Sequence, residues 1–232
     1  MTLIRVWDRA PYSVDYAPGQ GEDLVISFSS IGHDATRAPS PEFFGAATAG
    51  GRPALFVMDE SRSWANDPGF APAILGALAA AAPARRILTL GLSMGGFCAL
   101  VAADVLPVTA VLAFGPQFTI DPARLPDARW QDWTARIASL RYPTAPLALG
   151  PQITLMHGMA DDGAQAQAFP EQANLDHLLF PGLGHSDLLP HLKARGCLPG
   201  LVSAALSGDR RRLIRIATGA GGQRRARLQL PR

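Results

Sequence analysis

The sequence has few cysteines and lacks the common nucleotide-binding and metal-binding motifs. Its 232 residues include only Cys98 and Cys197, which excludes a disulfide-dense scaffold and a zinc site built from several cysteines. It contains no Gly-x-x-x-x-Gly-Lys-Ser/Thr motif, no dinucleotide-binding fingerprint and no His-Glu-x-x-His pair. We therefore expect that the protein uses no cofactor and no metal.

Long uninterrupted hydrophobic runs are also absent. The longest nearly apolar stretch, residues 97–115, is interrupted by Asp104 and Pro107, which favours a helix followed by a strand over a membrane span. The first residues show no apolar segment of the signal-peptide type, so we expect a cytoplasmic protein. With 48% hydrophobic and 17% charged residues, a chain of this length fits one globular domain.

Acidic residues are missing from the C-terminal end. Residues 1–209 contain 13 basic and 19 acidic side chains, a net charge of −6, whereas the last 23 residues contain eight arginines and no acid. Such a charge run is usually solvated, and this one lacks the interleaved aromatic residues of nucleic-acid-binding segments. We therefore predict a domain over residues 1–208 and a basic tail over 209–232. The tail is expected to be mobile or docked on the acidic body, dispensable for activity, and not a site for nucleic acid or an anionic membrane. Its arginines are Arg210, Arg211, Arg212, Arg215, Arg224, Arg225, Arg227 and Arg232.

Short strand-forming runs alternate with helix-forming segments along the body of the chain. Strands are expected at residues 2–7, 24–28, 54–59, 87–90, 110–114, 153–157 and 175–180, and helices at 72–82, directly after the turn at 91–96, at 188–195 and at 201–206. Consecutive strand–helix–strand units predict an α/β protein with a mostly parallel central sheet and helices on both faces. Residues 116–150 are Pro-rich and long for a simple connection, so they form either a small lid or a crossover helix with long flanks.

The strongest local signal lies at residues 87–100. An apolar run reaches the turn Gly91-Leu92-Ser93-Met94-Gly95-Gly96, and a helix-favouring segment follows it. In such a strand–turn–helix, the serine takes a strained backbone conformation that lifts its hydroxyl clear of the sheet. Ser93 is therefore the candidate nucleophile. Because a serine hydroxyl is a weak nucleophile near neutral pH, it requires a histidine base and a carboxylate that orients this base.

Candidates for both partners follow the last two predicted parallel strands. Asp161 and Asp162 come soon after the strand at 153–157, and His185 lies in the glycine-bearing loop after the next strand. The order Ser93, Asp161, His185 is expected when nucleophile, acid and base lie at successive strand ends of one sheet. We favour Asp161 as the acid. Asp162 is the alternative, because Asp161 could instead cap the helix that follows.

The other histidines and one further carboxylate are weaker candidates. His177 lies inside a predicted strand and His191 inside a predicted helix, which are positions typical of packing or surface residues. The carboxylate, Asp59, follows a strand but precedes the serine in the chain. Two alternatives for the base stay open: His157 at a strand end and His33 in an early loop.

These motifs resemble those of the α/β-hydrolase superfamily over residues 23–206. The resemblance rests on Gly91-Leu92-Ser93-Met94-Gly95-Gly96, Gly158-Met159-Ala160-Asp161 and Gly184-His185. It implies that Ser93 is the nucleophile, His185 the base and Asp161 the orienting acid. It also implies the fold of that superfamily for most of the chain.

The resemblance further implies two backbone donors for the oxyanion of the reaction. The N–H of Met94, directly after the nucleophile, is one of them. The second is by position the N–H of Ser30 or that of Ile31. The sequence departs from the family here, since Ser29-Ser30-Ile31-Gly32 replaces the usual His-Gly pair, and the choice between the two donors stays open.

The body is also similar to a group of bacterial hydrolases in three further features, although this likeness indicates no substrate. The features are Ser29/Ser30-Ile31-Gly32, Asp59…Ser63-Trp64 and Phe114-Gly115-Pro116-Gln117. Because loops at strand ends carry specificity in open α/β sheets, we predict that Trp64 lines the substrate pocket. The alternative is a tryptophan that only covers the edge of the core.

Taken together, these residues predict a cofactor-independent serine hydrolase. It would cleave an ester, thioester or related acyl bond of a small molecule through an acyl-enzyme. An acyltransferase would use the same residues with an alcohol in place of water. A binding or accessory protein with the hydrolase fold is the third hypothesis, and the intact order of Ser, Asp and His argues against it.

Overall fold

A nine-stranded sheet runs through the part of the chain that this computed structural model describes, which is residues 2–32, 34 and 36–227. The strands are β1 (Ile4–Arg9), β2 (Tyr12–Ala17), β3 (Asp23–Phe28), β4 (Ala54–Asp59), β5 (Arg86–Leu92), β6 (Ala110–Phe114), β7 (Gln152–Gly158), β8 (Leu175–Phe180) and β9 (Gln223–Arg224). Their order in space is β1-β2-β4-β3-β5-β6-β7-β8-β9. Strands β3 to β8 are parallel, and β1, β2 and β9 run antiparallel to their neighbours. The predicted α/β class with a mostly parallel sheet is confirmed.

Helices cover both faces of this sheet. They are α1 (Phe44–Ala47), α2 (Phe70–Ala80), α3 (Met94–Val105), α4 (Gln131–Thr134), α5 (Gly163–Ala168), α6 (His185–Ala194), α7 (Cys197–Leu206) and α8 (Arg210–Gly219). Helices α2 and α3 pack on one face, whereas α1, α6, α7 and α8 pack on the other. No helix among the described residues has the length and apolar character that a bilayer span requires.

Alternating side chains of the central strands fill two separate cores. In β3, Leu24, Ile26 and Phe28 contribute to the core under α2 and α3, while Val25 contributes to the core under α7. Strand β4 repeats the pattern. Because both faces are covered, these strands are apolar at almost every position, which explains why they are evident in the sequence.

Strand β2 was not predicted. Its residues alternate between buried Tyr12, Val14 and Tyr16 and half-buried Ser13 and Asp15, as expected for an antiparallel strand with one face on the core. It pairs with β4 along its whole length. Polar residues at every second position lower the mean hydropathy of the segment, which therefore resembles a turn.

Residues 116–150, named here the covering segment, contain neither a long crossover helix nor a separate domain. All of them are described, and their only helix is the four-residue α4. The buried side chains of Ile120, Trp130 and Ala145 pack on the core under α2 and α3. Gln165 fixes the start of the segment by accepting hydrogen bonds from the N–H groups of Phe118 and Thr119.

The C-terminal residues 209–227 dock on the body through apolar packing. Helix α8 begins where the Asp209 carboxylate accepts a hydrogen bond from the N–H of Arg212, and it buries Leu213 and Ala217 against α7. Strand β9 then pairs with β8 at the edge of the sheet. Of the two states expected for the tail, the described part is therefore docked.

An ion-pair cluster reinforces this docking. The carboxylate of Asp176 in β8 is almost fully buried, and it contacts Arg210 at 2.8 Å and Arg224 at 3.5 Å. A buried carboxylate is costly unless it is paired, and the two arginines add opposite charge to the neutral hydrogen bond that Gln152 donates to Asp176 at 3.2 Å. Arg232, the last arginine of the predicted tail, lies outside the described residues.

We expect that ending the chain after Gly208 destabilises the protein. The sequence-based prediction that the tail is dispensable concerns activity alone and stays a prediction. The deletion removes β9, uncovers α7 and leaves Asp176 without Arg210. Loss of buried Leu213 alone should cost about 2–5 kcal/mol of unfolding free energy. Thermal and urea unfolding, followed by circular dichroism, measures the effect. A chain ended after Arg227, which keeps α8 and β9, is the matched control and should be more stable than the chain ended after Gly208. An equal stability of the two shortened chains would contradict the prediction.

Candidate active site

Ser93 lies in a sharp turn between β5 and α3. Its backbone has φ 56° and ψ −122°, a strained conformation for a residue other than glycine, and its N–H donates to the carbonyl oxygen of Phe114 at 2.8 Å. A Cβ atom at Gly91 would lie 2.2 Å from the carbonyl of Gly95, and one at Gly95 would lie 2.3 Å from the carbonyl oxygen of Phe28. Only glycine therefore allows the start of α3 to approach β3 and β5 this closely.

A buried His–Asp pair lies at the same end of the sheet. His185 is the first residue of α6, and its Nδ1 is 2.8 Å from Oδ2 and 3.0 Å from Oδ1 of Asp162. A Cβ atom at Gly115 would come within 3.0 Å of this Nδ1. Because Gly115 follows Phe114, which accepts the N–H of Ser93, the serine turn and the imidazole meet at the carboxyl end of β6.

The structure places Asp162, not Asp161, on the imidazole. Asp161 is exposed, and its Oδ1 accepts a hydrogen bond from the backbone N–H of His185 at 2.6 Å. Asp162 donates its N–H back to the carbonyl of Gly158, and this tight turn directs the second carboxylate inward. Our preference for Asp161 as the ring partner is therefore corrected: Asp161 fixes the start of α6, and Asp162 contacts the ring.

The covering segment supplies a cation and an aromatic ring to this pair. Nη1 of Arg129 lies 2.9 Å from Oδ1 of Asp162, and the Trp130 ring is centred 4.9 Å from the imidazole of His185. Arg129 is itself held by Asp127 at 2.7 Å. No spacing in the sequence signals the roles of Arg129 and Trp130, because they reach the pair only after the covering segment has folded over it.

These contacts keep the Asp162 carboxylate ionised. Burial alone would raise the pKa of Asp162, but the hydrogen bond and charge of His185, with smaller contributions from His157 and Arg129, hold this pKa below its usual value. Asp162 is therefore a stable anion at neutral pH. An anion facing Nδ1 favours the tautomer in which this nitrogen carries the proton and Nε2 is free to accept one.

The hydroxyl of Ser93 contacts a side-chain amide. Gln117 donates from Nε2 to Ser93 Oγ at 3.1 Å, and Trp64 donates from Nε1 to Gln117 Oε1 at 2.9 Å. Among the described residues, no hydrogen bond joins Ser93 Oγ to the imidazole of His185. Trp64 is fully buried in the core, so it does not line an open pocket as predicted, and it reaches the site only through Gln117. The Phe-Gly-Pro-Gln motif was the sequence signal for Gln117.

The predicted oxyanion donors differ in availability. Met94 is the first residue of α3, where a backbone N–H has no acceptor within the helix. The N–H and hydroxyl of Ser30 both donate to Oε1 of Glu42, at 3.0 and 2.6 Å. For the N–H of Ile31, no acceptor is present in the described part of the chain. Because their N–H groups are not already bonded to an acceptor among the described residues, Met94 and Ile31 are better candidates for oxyanion donors than Ser30.

The remaining candidates take other positions. His157 and His177 form a buried pair, with Nδ1 of His157 2.8 Å from Nε2 of His177. His191 lies 2.7 Å from the carbonyl oxygen of Ala220 and so contacts the C-terminal segment. Asp59 accepts hydrogen bonds from the loop that follows β4. His33 lies outside the described residues.

A cavity of about 920 Å³ opens beside the serine turn. Leu92, which precedes Ser93, and Leu189, one turn of α6 after His185, contribute apolar surface to it. Its charged lining residues are of both signs, namely Asp34, Arg37, Glu42, Arg62 and Lys193. Ser93 itself is not part of the lining. The cavity is therefore a neighbouring space rather than a chamber that contains the hydroxyl.

Comparison with solved structures identifies the architecture. The chain is similar to the capsule O-acetyltransferase of Neisseria meningitidis serogroup A, with a TM-score of 0.59, 16% identity and coverage of 83% of this chain and 92% of that chain. It is also similar to an α/β serine hydrolase without a lid from Xanthomonas campestris, with a TM-score of 0.55, 15% identity and coverage of 85% and 91%. The chain has the α/β-hydrolase fold.

A third similar structure is esterase 2 of Thermogutta terrifontis, phosphonylated by sarin. Its TM-score is 0.51 at 16% identity, with coverage of 79% of this chain and 84% of that chain. No protein-family model and no curated protein matches the sequence. At these identities the comparisons establish the α/β-hydrolase fold, and the activity has to be argued from the site itself.

The buried histidine pair generates a prediction about stability and pH. His157 is fully buried, its Nε2 lies 2.8 Å from the carbonyl oxygen of Pro116, and burial lowers its pKa to about 4 from a usual 6.5. The unfolded chain therefore takes up a proton between pH 6.5 and 4 that the folded chain does not. The free energy of unfolding should fall as the pH falls through this window, by about 3 kcal/mol for this residue.

Urea unfolding at pH values from 7 to 4 measures the effect. His157→Gln is the matched variant, because an amide can still donate to Pro116 but does not titrate. The variant should lose less stability over this pH range than the natural chain. Parallel pH dependences of the two proteins would show that His157 does not carry the effect.

Proposed function

We propose that this chain is a serine hydrolase that cleaves an ester, thioester or related acyl bond through an acyl-enzyme. The observation that carries the proposal is the meeting of a strained serine turn and a buried imidazole–carboxylate pair at the end of β6. Ser93 would be the nucleophile, His185 the base, and Asp162 the carboxylate that orients the base. The α/β-hydrolase fold supports this reading by analogy.

In the first half-reaction, Ser93 Oγ attacks the acyl carbon while its proton passes to Nε2 of His185. Asp162 stabilises the imidazolium that forms, and the N–H groups of Met94 and Ile31 donate to the developing oxyanion. The imidazolium of His185 then protonates the leaving group. In the second half-reaction, water takes the place of the serine hydroxyl, attacks the acyl carbon and releases the carboxylic acid. The proton transfer requires Nε2 of His185 to lie within hydrogen-bond distance of Ser93 Oγ in the substrate complex. Catalytic contacts of this kind often form only when the substrate binds.

Acyl transfer is the second candidate function. It is favoured by the structural similarity to an enzyme whose name specifies acetyl transfer to a hydroxyl group. The chemistry differs only in the second half-reaction, where an alcohol replaces water. The cavity beside the serine turn is large enough to hold an acceptor or a long acyl group, and charged side chains of both signs line it.

The nucleophile can be tested with a fluorophosphonate probe, which phosphonylates activated serines. We expect labelling that mass spectrometry maps to Ser93 and that is absent in Ser93→Ala. The same substitution should lower turnover of a p-nitrophenyl ester by about 10⁴ to 10⁶-fold while the circular dichroism spectrum stays unchanged. Labelling of another residue, or none in folded protein, would contradict the hydrolase proposal and favour a binding protein. Product analysis with added alcohol separates hydrolysis from transfer.

The assignment of the acid predicts unequal effects of two neighbouring substitutions. Asp162→Asn removes the charge that holds the imidazole tautomer, so the ester turnover number should fall by about 10³ to 10⁴-fold. Asp161→Asn is the matched control, because an asparagine oxygen can still accept the N–H of His185. Its turnover number should stay within about 10-fold of the natural chain. A larger loss in Asp161→Asn than in Asp162→Asn would reverse the assignment.

A further inference from the structure

Two loops on opposite sides of β5 meet at the nucleophile through a chain of hydrogen bonds. Trp64, after β4, donates to Oε1 of Gln117, after β6, and Nε2 of Gln117 donates to Oγ of Ser93. All three side chains are buried, and Gln117 is only 1% exposed. The sequence singles out both loops, yet the proposed triad gives a role to neither.

Trp64 determines which end of the Gln117 amide faces the serine. An indole N–H can only donate, so the group opposite Trp64 must be the amide oxygen. The NH₂ group is then the end that faces Ser93. This orientation follows from donor chemistry and not from a choice between two equivalent amide positions.

The Trp64 loop is held rigidly in a strained conformation. Trp64 has φ 50°, in the left-handed region that non-glycine residues rarely adopt. The Asp59 carboxylate holds the loop by accepting from the N–H groups of Ser61 and Ser63 at 2.9 and 2.8 Å, and Asn66 Nδ2 donates to the carbonyl of Trp64 at 3.0 Å. Strain of this kind persists only where surrounding contacts enforce it, and it is typical of functional sites.

The backbone next to Gln117 is also fixed. The imidazole of His157 donates from Nε2 to the carbonyl of Pro116 at 2.8 Å, and the N–H of Gly115 donates to the carbonyl of Met156 at 2.7 Å. Gln117 therefore has both its backbone and the far end of its side chain anchored. Such an amide presents its N–H to Ser93 without losing rotamer entropy at the moment of reaction.

We propose that Gln117 is a catalytic residue of this site and that Trp64 is the positioning residue that acts through it. The proposal rests on the assignment of Ser93 as the nucleophile. By occupying one lone pair of Oγ, the Gln117 N–H fixes the serine rotamer and leaves the hydroxyl proton free to point to the base. It also stabilises negative charge on Oγ whenever the O–H bond or the acyl–O bond breaks.

The amide exchanges no proton in this scheme. During acylation the Oγ–C bond forms, the Oγ proton moves to Nε2 of His185, and the carbonyl electron pair moves to the oxyanion. During deacylation the bond between carbon and Oγ breaks, its electron pair returns to Oγ, and the proton held by His185 follows. Gln117 donates to Oγ throughout, so removing it should slow both half-reactions.

The second-order rate constant of fluorophosphonate labelling tests the proposal, because it measures the reactivity of Ser93 without requiring the natural substrate. Gln117→Met retains the volume and loses the donor, and it should label about 10-fold more slowly or worse. Trp64→Phe removes the indole N–H that fixes the orientation of the Gln117 amide, and it should slow labelling about 5-fold. In the double variant, Trp64→Phe should cause no loss beyond that of Gln117→Met, because its effect passes through the amide.

Trp7→Phe is the matched control for the indole substitution. Trp7 lies in β1 at the edge of the sheet, and its buried Nε1 has no hydrogen-bond partner in the described part of the chain. This variant should label at the natural rate. Thermal midpoints of all variants show whether the folded state is retained.

Unchanged or faster labelling of Gln117→Met would overturn the proposal, as would an equal effect of Trp64→Phe with and without Gln117. Failure of the natural chain to label at Ser93 would instead remove the proposed function, and the proposal with it. The two failures are therefore distinguishable.

Discussion

The site depends on the close approach of two backbones at the serine turn. Gly91 and Gly95 let the first turn of α3 come into contact with β5 and β3, and the hydrogen bond from Ser93 to Phe114 ties the turn to β6. This geometry holds the serine in its strained conformation and places Met94 at the open end of a helix. A side chain at either glycine would force α3 away from the sheet, and Ser93 would move with it.

The remaining groups come to this point from separate parts of the chain. The end of β6 contributes Gly115 and Gln117, the turn after β7 contributes Asp162, and the start of α6 contributes His185. The covering segment then adds Arg129, which pairs a partly exposed cation with the buried carboxylate of Asp162. Ser93 and His185 therefore lie at the starts of helices, whereas Gln117, Arg129 and Asp162 lie in the covering segment and in a turn.

Local patterns in the sequence were sufficient to predict the central strands and the strained turn that contains Ser93. Buried parallel strands are continuous apolar runs, and the glycine spacing around Ser93 has few other uses. The sequence could not show which of Asp161 and Asp162 contacts the imidazole of His185, because this depends on how one tight turn closes after β7. Trp64 was expected at a pocket because of its position after a strand. Its burial follows from a left-handed loop conformation that no residue preference signals. Helix α8 was obscured because its arginines outweigh the apolar face of Leu213 and Ala217.

The shortness of β9 has a consequence for the behaviour of the protein during synthesis. Its two residues cover part of the outer edge of β8, which otherwise presents unpaired peptide groups that could template pairing with another chain. Because β9 follows α7 and α8 in the chain, this edge stays open during synthesis until α8 and β9 have left the ribosome. Until then, the exposed edge is a site for association between nascent chains. Once β9 has paired with Leu178 and Leu179, the edge carries the charged side chain of Arg224, and charged edge residues disfavour pairing with another chain.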